Sequence, residues 1–199
     1  MPTSARTTQY LHESMCQWRH DIHRHPELGF EEHRTAEKVA SLLQEWEIET
    51  HTNVGETGVV GVIRRGTSSR MIGLRADMDA LAIHEQNTFD HCSQHEGKMH
   101  ACGHDGHTTM LLGAAYHLAK HGEFDGTVAF IFQPAEEHGK GAKSMIADGL
   151  FERFPVQDVY AIHNFPSVPL NNFIMKRGPV MASEDNFEIT IKAYSKKSF

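Results

Sequence analysis

Apolar positions recur along the chain in two rhythms. In residues 10–23, Leu11, Met15, Trp18 and Ile22 fall three and four apart, which makes one apolar stripe on a helix. His25-Pro26 closes that helix, because the residue before a proline is pushed out of the helical region. After Gly29 the same rhythm returns over 31–46. Ala36, Val39, Ala40, Leu43 and Trp46 form its inward face, and Glu31 and Glu32 lie beside the positive helix end. Residues 58–63 and 71–75 switch to Val, Ile and Leu around Arg64-Arg65-Gly66-Thr67-Ser68-Ser69, which predicts two antiparallel strands joined by a turn. Residues 88–99 have no period and read as a loop. A small, apolar run over 108–118 predicts a buried helix, and 128–132 a buried strand. A helix follows over 140–151, with Ala142, Met145, Ile146 and Leu150 on one face, then another buried strand over 158–162. Shorter strands are expected at 173–176 and 186–192. Strands alternating with helices from Val128 onward predict an α/β fold, a three-layer α/β/α sandwich around a mixed twisted sheet.

Charge and composition narrow the function. The net charge is −7 with no basic run, which argues against a nucleic-acid partner. No apolar stretch approaches the roughly 20 residues of a membrane span. The Met1-Pro2-Thr3-Ser4 opening has no signal-peptide core, so no membrane partner and a cytoplasmic location are expected. Cys16, Cys92 and Cys102 form no disulfide framework, and with no Cys-x-x-Cys pair a redox role has little to stand on. Sixteen histidines are many for this length. His12, His20, His51, His91, His95, His117 and His121 sit in polar or amphipathic surroundings and read as solvated.

The remaining histidines gather where packing alone would not put them. His100-Ala101-Cys102-Gly103-His104-Asp105-Gly106-His107 opens the 108–118 helix, and each of its polar side chains needs a partner once water is lost. A metal ion would supply one: Cys102 and His104 are too close to share a helix face, but a loop entering a helix can turn both inward. The 128–132 strand ends in Gln133-Pro134-Ala135-Glu136-Glu137. Adjacent carboxylates point different ways, so one can ligate a metal while the other serves as general base. His163-Asn164 ends the 158–162 strand and adds a second nitrogen donor to Cys102 and His104. Asp77 and Asp79, two apart at a strand end, could bind metal directly or orient a ligand histidine.

With Asp21 to Phe30, Gly73 to Leu81, His100 to His107, Pro134 to Glu137 and Ala161 to Pro166 in view, the chain resembles the hippurate hydrolase group of bacterial N-acyl-amino-acid amidohydrolases. That group belongs to the dinuclear metallopeptidases that include aminoacylase and carboxypeptidase G. The match runs in order from Gln17 to Ile191. The resemblance implies the N-terminal part of a zinc-peptidase-like catalytic domain over 1–183, with 184–199 as the first strand of a lid and dimerisation domain. It implies cleavage of the amide of a small N-acyl amino acid such as hippurate, with two divalent ions per subunit drawn from zinc, manganese or cobalt. Cys102 would bridge them. His104 and His163 would complete one site, Glu137 and a distal histidine the other, and Glu136 would be the base. Asp77 and Asp79 take supporting roles, since more distant relatives have a ligand histidine in place of Asp77. His23, His25 and Glu27 support the site without ligating. Relatives continue for roughly as much chain again, as homo-oligomers. This chain is therefore expected to be C-terminally truncated, without lid-mediated oligomerisation, and either an amidohydrolase or a catalytically inactive metal-binding remnant of one.

Overall fold

A computed structural model of the chain describes residues 3–180, 183 and 187–192. The order of elements is α1 (Thr3–Arg24), α2 (His33–Glu45), β1 (Glu49–Val54), β2 (Gly58–Arg65), β3 (Met71–Asp77), α3 (His104–His121), β4 (Gly126–Gln133), α4 (Gly141–Ala147), α5 (Leu150–Arg153) and β5 (Asp158–Ala161). The strands form one mixed sheet in the order β1-β2-β4-β3-β5.

β4 is the centre of this sheet. All eight of its residues are buried, as its unbroken apolar run demands. Val128, Phe130 and Phe132 point into one core with Val39 and Leu43 of α2 and Leu111, Leu112 and Ala115 of α3. Ala129 and Ile131 point the other way, toward Met145 of α4, Leu150 of α5 and Phe154. Helices thus cover both faces, and the three-layer α/β sandwich expected from the sequence is what forms.

Several local expectations are corrected. β2 and β3 run antiparallel but do not pair, because β4 lies between them, antiparallel to β2 and parallel to β3. Residues 66–70 therefore cross the end of β4, a span of roughly 10 Å, or two strand spacings. Nothing in the local sequence reveals a third strand inserted from fifty positions away. β1 was absent from the hydrophobic pattern because it is a polar edge strand in which only Val54 is buried. The single helix expected over 140–151 is two, broken where Gly149 takes a left-handed φ of 81°. Ile146, expected inward, is 48% exposed.

The strand expected to be buried at 158–162 forms, parallel to β3, but as an edge strand exposed along its length. Val159, Tyr160 and Ile162 face solvent, beside a groove lined by Leu74, Met110 and Ala114. The chain divides into two units, and the second begins at Phe165. Its described residues hold no helix or strand. The strand expected over 173–176 is therefore not formed, nor is one over 187–192; Asn186 lies outside the described residues. A strand needs a neighbour for its N–H and C=O groups, and no described strand pairs with either segment. Among the described residues, no helix is long and apolar enough to cross a membrane.

Candidate metal centre

Three parallel strands, β4, β3 and β5, stop at the same edge, and α3 begins there. Open α/β sheets place their chemistry at this kind of edge. The end of β3 supplies Asp77 and Asp79, the end of β4 supplies Glu136 and Glu137, and the end of β5 supplies His163 and Asn164. Cys102 and His104 come from the entry to α3. Gly103 takes a φ of 89° between them, and a Cβ there would sit 2.5 Å from the Asn164 side-chain oxygen. Only glycine fits that turn and that contact.

The histidines are oriented by what they donate to. His104 is fully buried, and its Nδ1–H donates to Asp79 Oδ1 at 3.3 Å. His163 donates from Nδ1 to the Asn164 carbonyl at 2.6 Å. In both rings the proton sits on Nδ1, so the Nε2 lone pairs face inward. His163 Nε2 lies 3.5 Å from Cys102 Sγ. His104 Nε2 lies 3.7 Å from Glu137 Oε1, 3.9 Å from Glu136 Oε2 and 3.6 Å from Asp77 Oδ2. The three gaps at His104 exceed a hydrogen bond. They suit atoms gathered around one ion, since donors about 2.0–2.3 Å from a centre are roughly 3.3–3.8 Å apart in a tetrahedron.

Two further observations fit a metal. His104 Nε2 and Glu137 Oε1 are buried and have no hydrogen-bond partner among the described residues, although they face each other. Cys102, His104 and His163 each offer a ligand atom within 4.8 Å of the others, and so do His104, Glu136 and Glu137. A thiolate, two imidazoles and a carboxylate suit a divalent ion of the zinc or cobalt type. Burial, and then the charges of Glu137, Asp77 and Glu136, push the Cys102 thiol up to about 12, so only a cation at this position would make it a thiolate.

The surrounding shell is also built. Burial alone would raise the Asp77 carboxyl, yet the His107 hydrogen bond and the charges of Arg75 and His104 hold it far below the usual carboxylate range. His107 Nδ1 donates to Asp77 Oδ1 at 2.6 Å and its other ring nitrogen is held against Asn164. Arg75 donates to Asp77 at 2.7 Å and to Gln133 at 2.9 Å. Asp79 accepts the Glu137 backbone N–H at 3.0 Å. The structure thus brings Cys102, His104, Glu136, Glu137 and His163 together and sets Asp77 and Asp79 behind His107 and His104. His25 meets His95 at 3.2 Å. Glu27 caps α2 through the Arg34 and Thr35 amides at 2.9 and 2.8 Å. Sequence reasoning missed His107, Asn164 and Arg75 as parts of the shell. The i, i+3 spacing of His104 and His107 was the signal that could have placed both on one helix face.

The sequence comparison decides the family. Residues 73–197 match the model of Peptidase family M20/M25/M40. The chain belongs to this family. Within it, the chain is similar to the hippurate hydrolase of Campylobacter jejuni, at 50% identity over 87% of this chain and 45% of that protein. It is similar to the N-acetylcysteine deacetylase of Bacillus subtilis at 42% identity, over 92% of this chain and 48% of that one. A solved dinuclear metal binding peptidase from the M20 family, also of Bacillus subtilis, superposes with a TM-score of 0.76 at 39% identity, covering 81% of this chain and 45% of that structure. The chain spans about half the length of the curated relatives it matches.

Proposed function

We propose that the chain carries the catalytic half-site of a metal-dependent amidohydrolase whose substrate is a small N-acyl amino acid of the hippurate type. The observation that carries this reading is the convergence of the two inward Nε2 lone pairs, the Cys102 sulfur and the unpartnered Glu137 oxygen at the ends of β3, β4 and β5. Cys102, His104 and His163 would hold the ion, with Glu137 beside them on the second position. A divalent ion there supplies Lewis acidity to the amide carbonyl and makes water a better nucleophile at neutral pH. Glu136 is the outward carboxylate of the pair, with a side chain 40% exposed. It takes the proton of the attacking water and returns it to the departing amine nitrogen. Asp79 and the Asn164 carbonyl keep His104 and His163 in the tautomer that leaves Nε2 free. The likeness to hippurate hydrolase and N-acetylcysteine deacetylase supports an N-acyl amino acid.

A second reading, a chain that binds metal without turning substrate over, is favoured by the donor set. Of the three histidines gathered here among the described residues, His107 is engaged by Asp77 and Asn164 while His104 and His163 face one position, which leaves Glu137 and the shared Cys102 as the remaining donors for a second ion. One ion should therefore be held tightly and a second lost on dialysis. The purified chain, loaded with zinc, manganese or cobalt and dialysed, is counted for metal by elemental analysis and assayed on hippurate. The amidohydrolase reading expects turnover above a metal-only control, abolished in Glu136→Gln with metal content unchanged. One ion with no turnover supports the second reading. Zero ions, or full activity in Glu136→Gln, overturns the site.

A further inference from the structure

Glu32 is wholly buried at the start of α2, where a carboxylate would ordinarily cap its own helix. It makes no such cap. Its side chain turns away and reaches two distant segments: Oε2 accepts the Thr57 hydroxyl at 2.6 Å, and Oε1 accepts the Ala135 backbone N–H at 2.7 Å. The sequence placed Glu32 beside the helix dipole; the structure gives that terminus to Glu27 instead.

Ala135 is the hinge of the Glu136-Glu137 segment. It is fully buried and holds a φ of 44°, a left-handed conformation that disfavours any residue with a Cβ. The next amides turn toward a second buried carboxylate, with Glu137 N–H donating to Asp79 Oδ2 at 3.0 Å. Buried carboxylates from two separate segments of the chain thus grip this turn. Gly29 brings the segment before α2 against it, since a Cβ there would meet the Ala135 Cα at 3.0 Å. Burying an ionisable group to hold an amide is costly where a neutral acceptor would do.

We propose that Glu32 is a positioning residue of the metal centre: by accepting the Ala135 N–H it locks the left-handed turn that aims Glu136 and Glu137 at His104. The inference rests on the metal-site reading given above, and its test separates the two. In the full chain, Glu32→Leu removes both acceptors, Thr57→Val removes only the Thr57 bond, and Glu32→Gln keeps an oxygen for Ala135. Two quantities are measured: hydrogen exchange of residues 134–139 by mass spectrometry, and cobalt affinity from the visible absorbance of the bound ion. Loss of an outer-shell partner typically costs about 10–100-fold in metal affinity. Glu32→Leu is expected to lose that much affinity and to exchange faster over 134–139, while Thr57→Val and Glu32→Gln stay near wild type in both. Wild-type behaviour in Glu32→Leu, or equal losses in Glu32→Leu and Thr57→Val, overturns the proposal. If the wild-type chain takes up no cobalt while 134–139 still loosens in Glu32→Leu alone, the metal reading falls and the positioning of the turn stands.

Discussion

His23 stands between two carboxylates from different segments: its Nδ1 meets Asp105 Oδ2 at 3.0 Å and its Nε2 meets Glu85 Oε1 at 3.1 Å. Both ring nitrogens can donate at once only in the imidazolium. The Asp105 bond foremost, opposed by burial and aided by Glu85, raises His23 above its ordinary value of 6.5. Arg19 donates to the same Asp105 oxygen at 3.1 Å. His100 beside them is held by burial down to about 4 and stays neutral through the same range. A group whose folded pKa is raised contributes stability that is complete below its unfolded pKa and lost as pH climbs through the folded one. Removing His23 should thus cost on the order of 2 kcal/mol at about pH 6 and much less at about pH 9. Urea midpoints of wild type and His23→Gln at both pH values check this; a gap that does not narrow with rising pH contradicts it. Since Glu85 also accepts the Ser93 amide at 2.6 Å, the same histidine ties the 85–93 loop to α1.

At the level of elements, α3 carries the most consequence per residue. The sequence pattern alone reads its first turn as loop, because His104, Asp105 and His107 are polar and the hydrophobic rhythm begins only at Thr108. Those residues are nonetheless buried, against Asp79, His23 and Asp77. A polar core has no hydrophobic period, so pattern reading starts the helix one turn late. The donors themselves were legible, since thiol, imidazole and paired carboxylates at strand ends have few bland explanations. Their partners were not. The Glu32 bond to Ala135 spans 103 positions and the Asp77 bond to His107 spans 30, and no local signal announces either. The layers of the fold followed from the alternation of strands and helices, whereas the place of β4 between β2 and β3 is a matter of pairing at a distance. The turn into α3 makes a testable point. Gly103→Ala should cost about 1–2 kcal/mol for the left-handed φ alone. It should also push Asn164 away and weaken cobalt binding, because Asn164 seats His163 and His107. Unfolding and cobalt titration of that variant measure both, and unchanged values in both would contradict the role given to Gly103.

For the molecule as a whole, the exposed outer strand matters most. Among the described residues β5 keeps an open row of backbone donors and acceptors, with Val159 at 46% and Tyr160 at 57% exposure on its two faces. Natural edges are blunted by lysine or proline, and this one has neither. Concentration-dependent self-association is expected in sedimentation of the purified chain, and Tyr160→Lys should shift it toward monomer; identical profiles at all concentrations would refute this. The position of β4 has a consequence in time. β2 and β3 leave the ribosome about fifty residues before the strand that joins them. At roughly 5–20 residues per second the growing chain therefore shows one free edge of β2, whose other edge pairs β1, and a wholly unpaired β3 for several seconds. Nascent-chain chaperones have that interval in which to act, and the sheet can close only when residue 133 has emerged.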